Sequence, residues 1–210
     1  MKKCSRQLVL IFMTILFARS FSAGAMDMPA AARSCGDCHG ENGISKEADI
    51  PIIAGMSALY IEEQLLAYQQ RERPCAEVKL RDGQVNKNEK SDMCRAVKDL
   101  DEKTIEVIAA WLATQPFVPV KQVFDAALAA TGEKIHQRSC EKCHAQGASL
   151  ADDDAGVMAG QWRHYLATTM SELRSGQRMM DKKMTPKIKE LDDRATAALV
   201  EYYVSAGKIK

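Results

Sequence analysis

One pattern occurs twice in this chain. Shifting the 210-residue sequence on itself by 105 positions sets Ser34 on Ser139, Cys35 on Cys140, Cys38 on Cys143 and His39 on His144. The same shift carries Ala54-Gly55 onto Ala159-Gly160, Tyr60 onto Tyr165 and Arg73 onto Arg178. The offset then falls to 91, which brings Met93 onto Met184, Leu100 onto Leu191 and Asp101 onto Asp192. The first copy therefore holds 14 extra residues between Arg73 and Met93, an interval that the second copy crosses over 179–183. A duplicated unit of this length predicts two similar small domains rather than one large fold.

The best-matched stretch of each copy reads C-x-x-C-H: Cys35-Gly36-Asp37-Cys38-His39 and Cys140-Glu141-Lys142-Cys143-His144. That spacing is the c-type haem attachment motif. Two thiols on one helical turn can add to the two vinyl groups of a porphyrin, and the adjacent histidine can reach the iron as proximal ligand. A lone C-x-x-C also suits a zinc knuckle or a redox dithiol. Here the immediate histidine and the second copy oppose those readings, and only His136 and His164 remain to complete a zinc site. Two covalent haems are expected, held by Cys35 and Cys38 in one copy and by Cys140 and Cys143 in the other.

The rest of each copy reads as helix. Pro29 can open a helix that Ala30-Ala31-Ala32 carries into the first motif. Ser57 is a candidate N-cap for a helix with Ile61, Leu65 and Tyr68 on one face. Asp101 can cap Ile105, Ile108 and Leu112, while Asp192 and Asp193 precede Leu199 and Tyr203. No alternating apolar segment argues for strands. The prediction is all-α: two tandem class I cytochrome c domains over 26–115 and 116–210, joined where Pro116 and Pro119 favour a helix stop and an extended linker. Domains this small bury modest cores, so a covalent cofactor would add apolar contact and cross-linking.

Each copy also carries an aligned methionine near its end, the order expected of a small His/Met cytochrome. A thioether is soft and stabilises ferrous iron. Met93 is the candidate distal ligand of the first copy, with Met56 its local rival, and Met184 that of the second, with Met179 and Met180 close by. His136 and His164 have no histidine counterpart in the other repeat, which places them on helix surfaces. Cys75 and Cys94 bracket the 14-residue insertion, and Cys94 directly follows Met93. In an oxidising compartment these two would form a disulfide that pins the ligand-bearing loop over the first haem. Closing a loop of this length is worth about 3 kcal/mol in the chain-entropy account. The insertion itself mixes Lys79, Arg81, Lys87 and Lys90 with Glu77, Asp82, Glu89 and Asp92, the composition of a solvated loop, and Asp152-Asp153-Asp154 reads as a solvated turn.

Residues 1–25 read as a secretory signal peptide. Lys2, Lys3 and Arg6 precede an apolar run from Leu8 to Phe17, and Ala23-Gly24-Ala25 has the small-x-small pattern of a cleavage site. The run is shorter than the ~20 residues of a spanning helix, so no membrane span is expected after cleavage, and the periplasm is the expected location. Cys4 lies before the apolar run, which excludes lipid attachment there. Cleavage removes Lys2, Lys3, Arg6 and Arg19 and no acidic residue, turning the formal net charge of +1 slightly negative. That balance argues against nucleic acid as a partner.

These residues resemble the dihaem cytochrome c4 family across both halves: C-x-x-C-H, Ala-Gly before a helix with Tyr, then Met, then Leu-Asp opening the last helix. The second half is similar to the cytochrome subunit of flavocytochrome c sulfide dehydrogenase, through 120–132 (VKQVFDAALAATG), CEKCH, AGQW at 159–162 and MDKKM at 180–184. The first half departs from it in the insertion with Cys75 and Cys94. The resemblance implies an electron-transfer protein that does no bond chemistry on substrate. Its partners would be a sulfide-oxidising flavoprotein subunit and a soluble cytochrome. A free c4-type carrier feeding a terminal oxidase is the alternative. A dihaem peroxidase-like enzyme would need an open iron position, against which two aligned methionines argue, and no output domain for a haem sensor is present.

Overall fold

The computed structural model describes residues 27–79 and 90–207. The expected signal peptide with Cys4, and Arg81, Asp82, Lys87 and Glu89 of the insertion, lie outside the described residues. A 3₁₀ segment over Ala30–Cys35 runs into the single turn α1 (Gly36–His39), followed by α2 (Ala58–Gln69), α3 (Met93–Val97) and α4 (Glu102–Ala113). The second half contains α5 (Ala126–Ser139), α6 (Ala145–Ala148), α7 (Arg163–Ser175), α8 (Met184–Lys189) and α9 (Asp193–Ser205). The one strand pairing among the described residues is a two-residue antiparallel ladder, β1 (Val78–Lys79) on β2 (Lys90–Ser91), at the base of the insertion.

The helix starts follow from side chains that supply the missing acceptors. Ser57 accepts from the Tyr60 amide, Asp101 from Thr104 and Asp192 from Ala195, each relieving an amide that has no partner inside its helix. The apolar faces then pack. Ile61 and Leu65 of α2 meet Ile105, Ile108 and Leu112 of α4 in one core, and Leu166, Leu199, Tyr203 and Val204 form the other.

The duplication extends to individual hydrogen bonds. The carbonyl of Gly43 accepts from Ile53 and Ala54, and that of its counterpart Ala148 from Met158 and Ala159. The Gly55 amide donates to Leu112 and the Gly160 amide to Tyr203, the equivalent residue of the other copy. Both glycines have positive φ, 68° and 77°, a conformation that L side chains rarely adopt. A Cβ on Gly55 would strike the linker at Gln115 and Phe117, and one on Gly160 would strike it at Pro119. The Ala-Gly pair of each repeat is thus the seat on which the linker between the halves lies.

Two sequence expectations need correction. His136 is not on a helix surface: its exposure is 0%. Its Nδ1 lies 3.0 Å from the Tyr203 hydroxyl and its Nε2 2.6 Å from Glu141 Oε2. The counterparts of His136, Glu141 and Tyr203 in the first repeat are Ala31, Gly36 and Leu112. Where one repeat has three small or apolar residues, the other has a polar set in which the half-exposed Glu141 and the Tyr203 hydroxyl satisfy the buried His136. The Asp152-Asp153-Asp154 segment is not merely solvated either, because Asp153 accepts from the Ala145 amide and ties down the chain after His144. His164, by contrast, is exposed.

Candidate haem sites

In the first half Cys35, at the end of the 3₁₀ segment, and Cys38 and His39 of α1 line a cleft of about 290 Å³ that Met93, at the start of α3, lines as well. His39 is buried, and its Nδ1–H donates to the Pro51 carbonyl at 2.9 Å. A carbonyl can only accept, so the ring proton is on Nδ1 and the Nε2 lone pair is left for a metal. Burial pushes the imidazole pKa down, which keeps it in the neutral, ligating form. Burial also pushes the Cys35 thiol up. Asp92 caps α3 by accepting from the Arg95 amide, which fixes the turn that carries Met93. Cys75 and Cys94 are joined in a disulfide with Cα atoms 5.7 Å apart, so a covalent bond sits one residue beyond Met93. Met56, the local rival, lines the same cleft and is 4% exposed.

In the second half Cys140, Cys143 and His144 lie between α5 and α6. The His144 imidazole is pushed down by burial and by His136, and its Nδ1 is buried without a hydrogen-bond partner among the described residues. Met184 opens α8 and packs against the second core together with Met180 and Met158. Met179 is 65% exposed, whereas Met180 packs against that core beside Met184.

Between the halves lies a group that sequence reasoning registered only as repeat matches. Arg73 and Arg178 are 7% and 8% exposed and converge on one acceptor, Gln64 Oε1, at 2.8 and 3.0 Å. Neither has a carboxylate within ion-pair distance among the described residues, and Arg73 Nε has no partner. Arg73 also lies over the Tyr68 ring, 4.3 Å from its centroid. Burial raises the Tyr165 phenol, but the charges of Arg178 and Arg73 outweigh it and hold the group at about 8. Two buried guanidinium groups without a counter-anion are costly.

That surplus of buried positive charge tests whether the residues fit a haem, and they do. A haem carries two carboxylates on an otherwise apolar disc, and a mostly apolar cleft lined by the buried Arg73, with Arg178 beside it on the shared Gln64, matches that polarity. Cys35 and Cys38, and Cys140 and Cys143, would hold the rings through thioether bonds; His39 and His144 would ligate the irons, with Met93 and Met184 the further ligand candidates. Bound there, haem supplies a one-electron ferric/ferrous couple. The chain's own part is to exclude water with its apolar walls, to keep both imidazoles neutral and His39 oriented, and to balance the carboxylates.

Comparison with known proteins agrees with this geometry. Residues 127–202 match the family model described as cytochrome c oxidase, cbb3-type, subunit III. Cytochrome c4 of Stutzerimonas stutzeri is 29% identical over 157 residues, 70% of each chain. Cytochrome c4 of Pseudomonas aeruginosa is 26% identical over 185 residues, 82% of this chain and 84% of the relative. The crystal structure of reduced recombinant cytochrome c4 from Pseudomonas stutzeri superposes with a TM-score of 0.65 at 25% identity, covering 82% of this chain and 93% of that one. The chain is a cytochrome c4-like electron-transfer protein. Its fold is two tandem class I cytochrome c domains, and its cofactors are two covalent c-type haems. No helix among the described residues is long and apolar enough to cross a membrane.

Proposed function

We propose that this cytochrome c4-like protein is an exported, periplasmic relay that accepts two electrons, one per haem, and passes them on singly. In this reading His39 and Met93 ligate one iron and His144 and Met184 the other. The observation that carries it is that Cys35, Cys38, His39 and Met93 line one mostly apolar cleft together with the buried Arg73. Six-coordinate iron in such a cleft can exchange electrons but offers no open position for substrate.

The donor we propose is a flavoprotein subunit that oxidises sulfide. A flavin takes up two electrons at once, and two haems in one chain are the matching one-electron acceptors. Support for this donor is the similarity at 120–132, 140–144, 159–162 and 180–184 to the cytochrome subunit of flavocytochrome c sulfide dehydrogenase. A second reading, a free carrier that delivers electrons to a terminal oxidase, is favoured by relatives named cytochrome c4 that align across both domains.

The test is gentle isolation of the native protein from the periplasmic fraction, followed by optical and mass analysis. Co-migration with a flavin-containing chain, and haem reduction on adding sulfide, are the expected results for the flavoprotein partnership. A haem protein running alone and unmoved by sulfide sinks that partnership and leaves the free carrier. Rapid reaction of the reduced protein with carbon monoxide or peroxide would refute six-coordinate ligation itself.

A further inference from the structure

The first proximal histidine is connected to the second domain through a single peptide group. His39 Nδ1–H donates to the Pro51 carbonyl at 2.9 Å. The N–H of that same peptide unit belongs to Ile52, and it donates to Gln161 Oε1 at 2.9 Å. Gln161 Nε2 returns a bond to the Ile52 carbonyl, also at 2.9 Å. The amide is thereby oriented without ambiguity, because its oxygen faces a donor and its nitrogen faces an acceptor. Gln161 and Ile52 are both 0% exposed. The glutamine is held from its own side as well: its Oε1 accepts from Trp162 N at 3.2 Å, and its backbone carbonyl from Gln122 Nε2 at 3.0 Å.

We propose that Gln161 is a positioning residue of the second domain that sets the reduction potential of the first haem, acting through the Pro51–Ile52 peptide on His39. The inference rests on the reading of His39 as an iron ligand. An amide whose N–H is hydrogen-bonded becomes more dipolar, so its carbonyl oxygen is a stronger acceptor; in condensed phases such cooperativity adds roughly 10–30% per bond. A stronger acceptor at Nδ1–H draws the proton away and makes the imidazole a better electron donor to iron. Better donation favours ferric iron and lowers the potential of that haem.

The duplication provides a built-in control. The repeat counterpart of Gln161 is Met56, which can neither donate nor accept in this way, and that of Ile52 is Val157. His144 Nδ1, the counterpart of His39 Nδ1, is buried without a partner among the described residues, so no first-domain side chain reaches it through such a peptide there. The tuning therefore runs in one direction, from the second domain to the first haem.

The experiment uses the holoprotein and two variants, Gln161→Met and Gln161→Glu, with the two potentials resolved by optical redox titration and assigned to each haem by NMR of the reduced state. Gln161→Met, which copies the first repeat, should raise the first potential, so that at a fixed poise its reduced-to-oxidised ratio grows about two- to three-fold. Gln161→Glu, protonated at this fully buried position, keeps both an acceptor for Ile52 N–H and a donor for the Ile52 carbonyl, and should leave the first potential close to that of the unaltered protein. The second haem should move less than the first in Gln161→Met. A shift in Gln161→Glu as large as that in Gln161→Met, or no shift at the first haem in Gln161→Met, overturns the proposal. A purely architectural role would move both haems together. The wild-type protein supplies an independent reading: the His39 ring N–H should exchange with solvent at least about tenfold more slowly than that of His144, and equal rates would overturn the proposal. A His39 ring without the ring-current shift of a haem-bound imidazole would overturn the ligand assignment along with it.

Discussion

At the scale of single residues, three methionines close in sequence have quite different surroundings. Met179 is 65% exposed, whereas Met184 and Met180 pack against the second core. Replacing Met184 by leucine should abolish the methionine-ligation absorption of one haem and let carbon monoxide bind that reduced iron. Met179→Leu should change neither, as optical spectroscopy of the two variants will show. His136 was illegible in the sequence because its burial depends on partners at 141 and 203, which no local pattern connects. Its removal alone leaves the Tyr203 hydroxyl and Glu141 facing a cavity. His136→Ala should cost about 1–3 kcal/mol in denaturant unfolding. Combining His136→Ala, Glu141→Gly and Tyr203→Leu restores the arrangement of the first repeat. The combination should cost less than the three single changes summed, a coupling that a mutant cycle measures. The cysteines and proximal histidines, by contrast, were readable at once, because their chemistry requires a fixed spacing on one turn.

At the scale of elements, the helix starts at Ser57, Asp101 and Asp192 were legible because a cap is a local device. The crossing of α5 and α9 was not, since it depends on what one residue lacks. A Cβ on Gly132 would overlap the Ala198 carbonyl and the Tyr202 side chain. Gly132→Ala should therefore lower stability by about 1–3 kcal/mol through overpacking, enough to move the melting temperature of a two-domain unit this size by roughly 2–12 °C. Calorimetry checks it. The disulfide beside Met93 acts on one site only, because 179–183 has no counterpart bond. Exchanging Cys75 and Cys94 together for serine should weaken methionine ligation at the first haem, read as carbon monoxide uptake by the reduced protein, and leave the second unchanged.

At the scale of the molecule, the two halves are joined by more than their linker. Trp162 Nε1 donates to the Ser45 carbonyl at 3.1 Å, Tyr165 N to Ala48 at 3.2 Å and Met179 N to Glu72 at 3.0 Å, beside the Gln161–Ile52 pair. A shared, polar and buried interface predicts one cooperative unfolding transition for the holoprotein, and two separable ones after Trp162→Ala; a calorimetric trace with two peaks in the unaltered protein would refute it. The duplication announced two domains but could not reveal this interface, since pairings 109 residues apart leave no periodic trace. Arg73 and Arg178 were visible as repeat matches, yet only their burial without an acidic partner marks them as a place prepared for negative charge.

The bond between Cys75 and Cys94 also bears on how the chain is made. The described residues hold six cysteines, and six thiols released together into an oxidising space can pair in many ways. Four of them must stay reduced until a porphyrin is attached; the other two must lose their hydrogens. If attachment comes first, the thioether bonds withdraw Cys35, Cys38, Cys140 and Cys143 from exchange, and a single pairing remains for the oxidant to find. The loop that carries Met93 would then be sealed last, closing over a ring already in place.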